Sequence, residues 1–331
     1  MTKPRLDVLA IGNAIVDIIA DADDAFLAAE GLTKGMMRLI DAEEAVRLYD
    51  HMGPAREISG GSAGNTAAGV AALGGTAGFV GQVAPDQLGE FYRHDLTATG
   101  VEFTTAATDF GVPTARSMVL VTPDGHRTMN TFLGAAQHLP VSALDEAQIA
   151  DAAVLYLEGY LWDPETPRFA MVKAIDVARL AGRKVAFTLS DTFCIDRHRD
   201  GFNGLIDSGK IDILFANEAE IRMLAGAEDF DAAVAAVSAK VETLVVTRSE
   251  QGAIAVSNGE HAKVPAEPVS KVVDTTGAGD LFAAGFLAGQ TQGRSLEYSL
   301  RVGAIAAAEV ISHYGARPEA DLKALVAARL G

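Results

Sequence analysis

Val272-Val273-Asp274-Thr275-Thr276-Gly277-Ala278-Gly279-Asp280 sets an acid at the end of a tight small-residue turn, just before a helical apolar pattern. Gly277, Ala278 and Gly279 leave backbone N–H groups bare at a helix N-terminus, which suits an anion. A carboxylate beside an anion hole is electrostatically unfavourable unless it has a task. A base that takes a hydroxyl proton while the hole holds a phosphoryl group accounts for both features. The alternative is an ordinary strand–turn–helix with Asp280 as an N-terminal cap.

Four further groups of residues bear on that chemistry. Asp17 follows Gly12-Asn13-Ala14-Ile15-Val16 in an apolar stretch, where an ionised carboxylate is costly without partners. A sugar diol would supply two O–H donors; a turn or hinge carboxylate is the other reading. In Ser59-Gly60-Gly61-Ser62-Ala63-Gly64-Asn65 the glycines permit close backbone approach. Asn65, one turn into the next helix, can donate to and accept from a hydroxyl, although the same letters also suit a plain helix start. Asn217 ends a buried run, and Glu220 follows three residues later. The pair suits a hydrated Mg²⁺ and equally a helix capping box. Thr247-Arg248-Ser249-Glu250-Gln251-Gly252 reads as a hairpin turn, or as a nucleotide wall beside a phosphate-binding helix.

The elements that must position these groups alternate. β-Branched runs at Asp7–Ile11, Ala77–Gly81, Ala153–Leu157, Lys184–Leu189, Ile211–Ala216, Thr243–Thr247 and Gly252–Val256 read as buried strands. Alanine-rich helical stretches lie between many of them, at Ala63–Leu73, Leu88–Thr99, Pro167–Ala181, Ala219–Leu224 and Phe230–Ala239. Such alternation predicts a three-layer α/β/α domain on a mostly parallel sheet, with ligands at the strands' C-terminal ends. Residues 14–42 and 101–133 break the alternation. Residues 14–42 show no convincing helix, and residues 101–133 have the pattern of extended hairpins around Asp124-Gly125. Together they are expected to form a small β lid on a single domain spanning 1–331.

Bulk composition narrows the partners. The 331 residues carry 27 basic and 44 acidic side chains, a net charge of −17, which argues against nucleic acid. One cysteine, Cys194, rules out an internal disulfide framework and suits a reducing compartment. The N-terminal apolar run is interrupted by Asn13 and Asp17 and reads as neither signal peptide nor membrane span. A cytoplasmic location is expected.

Taken in order, these motifs resemble the ribokinase-like (PfkB) family of carbohydrate and nucleoside kinases, from Leu9 to about Pro318. The most specific element is Asp274–Asp280, followed by the Gly60-Gly61…Asn65 segment and Asn217…Glu220. Gly12–Ile18, Gly60–Ala67 and Asp212–Glu220 are most similar to adenosine kinases within it, as are Lys34–Met37 and Arg127–Leu133.

The resemblance implies ATP-dependent phosphoryl transfer to a primary hydroxyl, most readily the 5′-OH of adenosine in purine salvage. A sugar kinase acting on ribose, fructose or a keto-sugar acid is the alternative. It implies Asp280 as base, Gly277, Ala278 and Gly279 as the hole, and Arg127 approaching the transferring phosphate. Acceptor contacts would come from Asn13, Asp17, Gly60, Gly61, Ser62 and Asn65. Ile15, Met36, Met129, Phe132 and Leu161 would form an apolar slot, Leu161 standing where an aromatic stacker is expected. Asn217, Thr247, Arg248, Gly252 and His313 would meet ATP, His313 being equally readable as a structural helix-end histidine. Asn217 and Glu220 would serve Mg²⁺ through water, and Asp274 and Thr276 a monovalent cation such as K⁺. The protein would act as a monomer or as a homodimer paired through the lid, with a small-molecule acceptor and ATP as ligands and no membrane contact.

Overall fold

Alternation along each buried strand sends neighbouring side chains to opposite faces of a sheet. In the computed structural model, which describes residues 4–331, Val8 and Ala10 enter one apolar core while Leu9 and Ile11 enter another. Phe215 and Leu214 divide in the same way. A strand buried on both faces needs a helical layer on each, and the chain supplies both. Helices Ser62–Ala72, Ala278–Thr291 and Leu296–Val310 cover one face. Glu165–Leu180, Thr192–Asp207, Glu218–Ala225 and Phe230–Ser238 cover the other.

In chain order the strands are β1 (Leu6–Ile11), β2 (Ile15–Asp21), β3 (Met37–Leu39), β4 (Ala55–Ser59), β5 (Ala77–Val80), β6 (Glu102–Phe103) and β7 (Ala115–Val121). They continue as β8 (Arg127–Phe132), β9 (Ala152–Glu158), β10 (Lys184–Thr188), β11 (Ile213–Asn217), β12 (Thr243–Thr247), β13 (Ala253–Ser257) and β14 (Glu260–Val264). The large sheet runs β14-β13-β12-β11-β10-β9-β1-β5-β6. It is parallel from β12 to β6, and β13 and β14 add an antiparallel edge. This is the expected ribokinase-like three-layer α/β/α fold.

The small sheet runs β3-β8-β7-β2-β4. Its boundaries differ from the sequence expectation in three ways. Ala55–Ser59, outside both expected segments, supplies the edge strand beside β2. Glu102–Phe103, expected in the small sheet, pairs with β5 in the large one instead. Asp24–Ala29 is a helix, capped by the Asp23 carboxylate on Phe26 N–H. It is too short for its apolar pattern to be read as helical. The β7–β8 hairpin does turn at Asp124-Gly125.

Register in the small sheet decides which residues can meet. Asp17 pairs with Ser117 and Ser117 with Thr131, so these three share a face with Ile15, Met129 and Arg127. Ser117 Oγ and Thr131 Oγ1 confirm it with a 2.9 Å hydrogen bond. Val16, Arg116 and Phe132 form the next row and face the other way. Val16, Ile18, Met118 and Leu120 accordingly join the core of the large domain.

Candidate active site

Helix Ala278–Thr291 begins at Gly277, whose φ of +77° is a left-handed conformation that side-chain-bearing residues rarely adopt. The first intrahelical bond runs from Leu281 N–H to the Gly277 carbonyl, and Ala278 N–H turns back to Thr275 at 3.3 Å. Among the described residues the N–H groups of Gly277, Gly279 and Asp280 find no acceptor, an arrangement suited to an anion. Asp280 does not cap this helix. Its carboxylate points to helix Ser62–Ala72, accepting from Ser62 Oγ at 2.6 Å and Asn65 Nδ2 at 2.9 Å. Burial pushes its pKa up, opposed by those two hydrogen bonds and by the Arg317 guanidinium.

Asp17 comes to the same place from the small sheet, and Gly60 packs against it so closely that a Cβ there would stand 2.3 Å from Oδ2. Among the described residues no side chain or N–H donates to the Asp17 carboxylate. Burial pushes its pKa up to about 7, against the pull of Arg127 and Arg317. Asn65 Oδ1 is likewise buried and unpartnered. Two acceptor groups thus lack protein donors beside Asp280: half-buried Asp17, and Asn65 Oδ1, which is fully buried and whose unmet bond costs about 1–3 kcal/mol. Arg127, from β8, reaches across to the turn: its guanidinium pairs with Asp274 and donates to Thr276 Oγ1 at 3.1 Å. Half-buried Ile15 and Met129 lie on this face; it is Met37, not the expected Met36, that the register pairs with Met129, and exposed Met36 precedes the strand.

Other expected residues are engaged elsewhere. Asn13 spends its backbone N–H and its side-chain amide on Glu158 Oε1, each at 2.8 Å. Leu161 is fully buried in the core behind β9, so it lines no slot. Phe132 faces the opposite side of the small sheet from Asp17. Asn217 and Glu220 form the complete capping box of helix Glu218–Ala225, and Glu220 also accepts from Asn217 Nδ2 at 2.6 Å. Arg248 lies over Phe230 and donates to Glu218 at 2.7 Å. Thr247 and Gly252 flank the β12–β13 hairpin, where Arg248 N–H bonds the Gly252 carbonyl. His313 rests on Glu309 at 3.2 Å and on the Tyr314 carbonyl. A cavity of about 460 Å³ lined by Ile18, Tyr49, Met52, Gly53, Pro54, Ala55 and Glu57 belongs to the small sheet and holds none of these groups.

Geometry and sequence kinship meet here. The pattern of the pfkB family of carbohydrate kinases matches residues 8–322. The chain belongs to that family. It is 51% identical to the adenosine kinase from Sinorhizobium meliloti, covering 98% of this chain and 99% of that one with a TM-score of 0.92. It is 50% identical to a probable sugar kinase protein from Rhizobium etli, covering 99% and 98% with a TM-score of 0.93. A fructokinase from Klebsiella pneumoniae is 31% identical over 73% of this chain and 80% of its own. The protein is therefore a nucleoside or sugar kinase, a phosphotransferase with an alcohol acceptor, and it most resembles adenosine kinases.

Kinases of this family use ATP and Mg²⁺. Among the described residues of this kinase no cluster of three His, Cys, Asp or Glu could hold a metal ion. Both Glu220 oxygens are occupied by Asn217, so the pair fits only a Mg²⁺ carried on phosphate and reached through water. A monovalent cation at Asp274 does not fit while Arg127 is paired with it. Its carboxylate already meets the Arg127 guanidinium and the N–H groups of Thr276 and Gly315. No described helix of the kinase is long and apolar enough to cross a membrane.

Two site residues escape a reading of the sequence. Glu158, fully buried, accepts from Asn13 twice and from Ala63 N–H at 2.7 Å, tying the Gly12-Asn13 turn to the N-terminus of the Ser62 helix. Burial lifts its pKa to about 7 although three N–H donors favour the ionised form. Its signal is present in the chain: a carboxylate closing the apolar run Ala152–Leu157. Arg317, half-buried in an irregular loop, has none.

Proposed function

We propose that this kinase transfers the γ-phosphate of ATP to the primary hydroxyl of a nucleoside, adenosine first among candidates. The observation that carries the proposal is the pair of acceptors without protein donors, the Asp17 carboxylate and Asn65 Oδ1, set beside a half-buried Asp280. A ribose diol supplies the missing donors, and its neighbouring primary hydroxyl then falls to Asp280. Ile15 and Met129 lie on the Asp17 face, an apolar side that suits a base better than a second polyol. The adenosine kinase match covers 98% of the chain and the fructokinase match 73%, but the probable sugar kinase protein covers 99%, so coverage does not separate the two acceptors.

In this mechanism Asp280 accepts the proton of the attacking hydroxyl as transfer proceeds, while Ser62 and Asn65 hold the carboxylate in place. The free N–H groups of Gly277, Gly279 and Asp280 meet the charge on the transferring phosphoryl, one such donor being worth about 3–4 kcal/mol. Mg²⁺, when bound with the nucleotide, neutralises phosphate charge, with Asn217 and Glu220 at its hydration shell. Arg127 exchanges Asp274 for the phosphoryl group. The small sheet acts as the lid, bringing Asp17 and Arg127 over the hole and excluding water, the competing nucleophile.

A sugar kinase is the alternative reading, favoured by the absence of an aromatic stacker once Leu161 and Phe132 leave the slot. A coupled ADP-release assay over adenosine, guanosine, inosine, ribose and fructose decides. Adenosine should give the highest kcat/KM; ribose or fructose turning over well above every nucleoside would overturn the proposal.

A further inference from the structure

Four consecutive residues of the loop after helix Leu296–Val310 each touch a different part of the site. The Tyr314 ring lies 5.8 Å from the Arg127 guanidinium. Gly315 N–H donates to Asp274 Oδ2 at 2.9 Å. Ala316 backs Gly277 so tightly that a Cβ on Gly277 would stand 2.6 Å from the Ala316 methyl. Arg317 donates through Nε and Nη2 to the Ser59 carbonyl and hydroxyl at 3.0 and 2.9 Å, and through Nη1 to the Gly64 carbonyl at 2.7 Å. The far end of the loop is pinned by Glu309 Oε1, which accepts from the N–H groups of Glu319 and Ala320.

Ser59 ends β4 and Gly64 lies in the first turn of the Ser62 helix. The Arg317 fork therefore fixes both ends of the turn that carries Gly60 against Asp17 and Ser62 against Asp280. Its planar geometry suits three oxygens that converge from two elements; a lysine could satisfy only part of that set. The charge matters as well as the fork. Asp17 from β2, Asp280 from the Ala278 helix, and Asp95 and Tyr92 from helix Gln87–Ala98 all face this guanidinium. Glu158 and Tyr156 from β9 also interact with this cluster, and Arg127 and Asp274 act on Asp17 as well.

We propose that Arg317 is a positioning residue for phosphoryl transfer: it sets the Ser59–Gly64 turn that seats the acceptor and is the counter-charge shared by Asp17 and Asp280. This rests on the kinase site described above and on no particular acceptor. Its test uses whichever compound turns over best in the acceptor panel, so a sugar outcome retires the adenosine reading and leaves the test standing. A wild-type enzyme turning over nothing in the panel would remove both.

Arg317→Met should lower kcat/KM for the acceptor about 100-fold through a displaced turn, with the KM for ATP unchanged. The acid limb of its kcat/KM profile should move to higher pH, because losing a nearby cation makes both carboxylates harder to ionise. Arg317→Lys should keep the wild-type acid limb while the acceptor KM stays raised. A folded Arg317→Met enzyme with wild-type acceptor KM and acid limb would overturn the proposal. So would equal losses toward ATP and acceptor with the acid limb unmoved, the signature of a general structural role. Should Arg317→Met fail to fold, Arg317→Lys decides alone: wild-type acceptor KM and kcat would overturn the proposal.

Discussion

The acceptor half and the nucleotide half of this site are built on opposite plans. Around Asp280, side chains from β2, the Ser62 helix, the Ala278 helix and the Arg317 loop converge, and two acceptor groups are left waiting for donors. Around β11 and β12 most polar side chains are paired, although Arg222 Nε and, further on, Glu309 Oε2 are buried without a partner. Asn217 and Glu220 close a capping box, Arg248 pairs with Glu218, and His313 rests on Glu309. Buried groups that satisfy each other stabilise a fold; buried groups left waiting cost stability and mark where a ligand completes the set. On the proposed reading the acceptor half carries the selectivity and the proton transfer. The nucleotide half offers backbone N–H groups and shape.

Variants can break this contrast. Asp280→Asn should have the largest effect, lowering turnover about 1,000-fold in the coupled assay; a small loss would put the chemistry elsewhere. Asp17→Asn comes next. It should lower acceptor kcat/KM about 100-fold through two weakened charge-assisted hydrogen bonds, with the KM for ATP unchanged. Equal damage to both substrates would erase the division between the halves.

A pH effect sharpens the same point. Burial holds Asp17, Glu158 and Glu220 at about 7 in the folded protein, against ordinary carboxylate values near 4 when unfolded. Between those values the native state binds more protons than the unfolded one, so these groups make stability fall as pH rises from about 4 to 7. Thermal melts without ligand should show this trend. Asp17→Asn, which removes one of the titrations, should show a shallower one; an unchanged slope would contradict the burial assigned to Asp17.

In the nucleotide half, effects on the fold should exceed those on chemistry. Asn217→Ala should cost about 1 kcal/mol of stability through the lost cap, with turnover at saturating Mg²⁺ closer to wild type than either aspartate variant. Arg248→Ala, breaking a partly exposed pair with Glu218, should be smallest at about 0.5 kcal/mol. A larger turnover loss in either than in Asp17→Asn would reverse the comparison.

Local signals make most of the fold legible. Thr243–Thr247 has the same bounds in the sequence pattern and in the structure, and the strand–helix alternation leads directly to the parallel sheet. The anion-hole turn and Asp280 are equally plain, because small residues followed by an acid have few uses. Partner choice is not legible. That Asp280 turns to Ser62 and Asn65 instead of capping its own helix depends on a helix more than two hundred residues away. Which face Phe132 takes depends on a register set by β7, and Ala55–Ser59 joins the small sheet through pairing with β2 alone. Asn217 and Glu220 fit two readings from sequence, and only the bonds they make show the cap.

The central claim is that Asp280 moves a proton and is not merely a tie between two helices. Isothermal titration of the acceptor into Asp280→Asn separates the two. If Asp280 is the base, acceptor affinity stays within about threefold of wild type while turnover is lost. Loss of acceptor binding together with turnover would show that Asp280 only anchors Ser62 and Asn65, and would contradict the account.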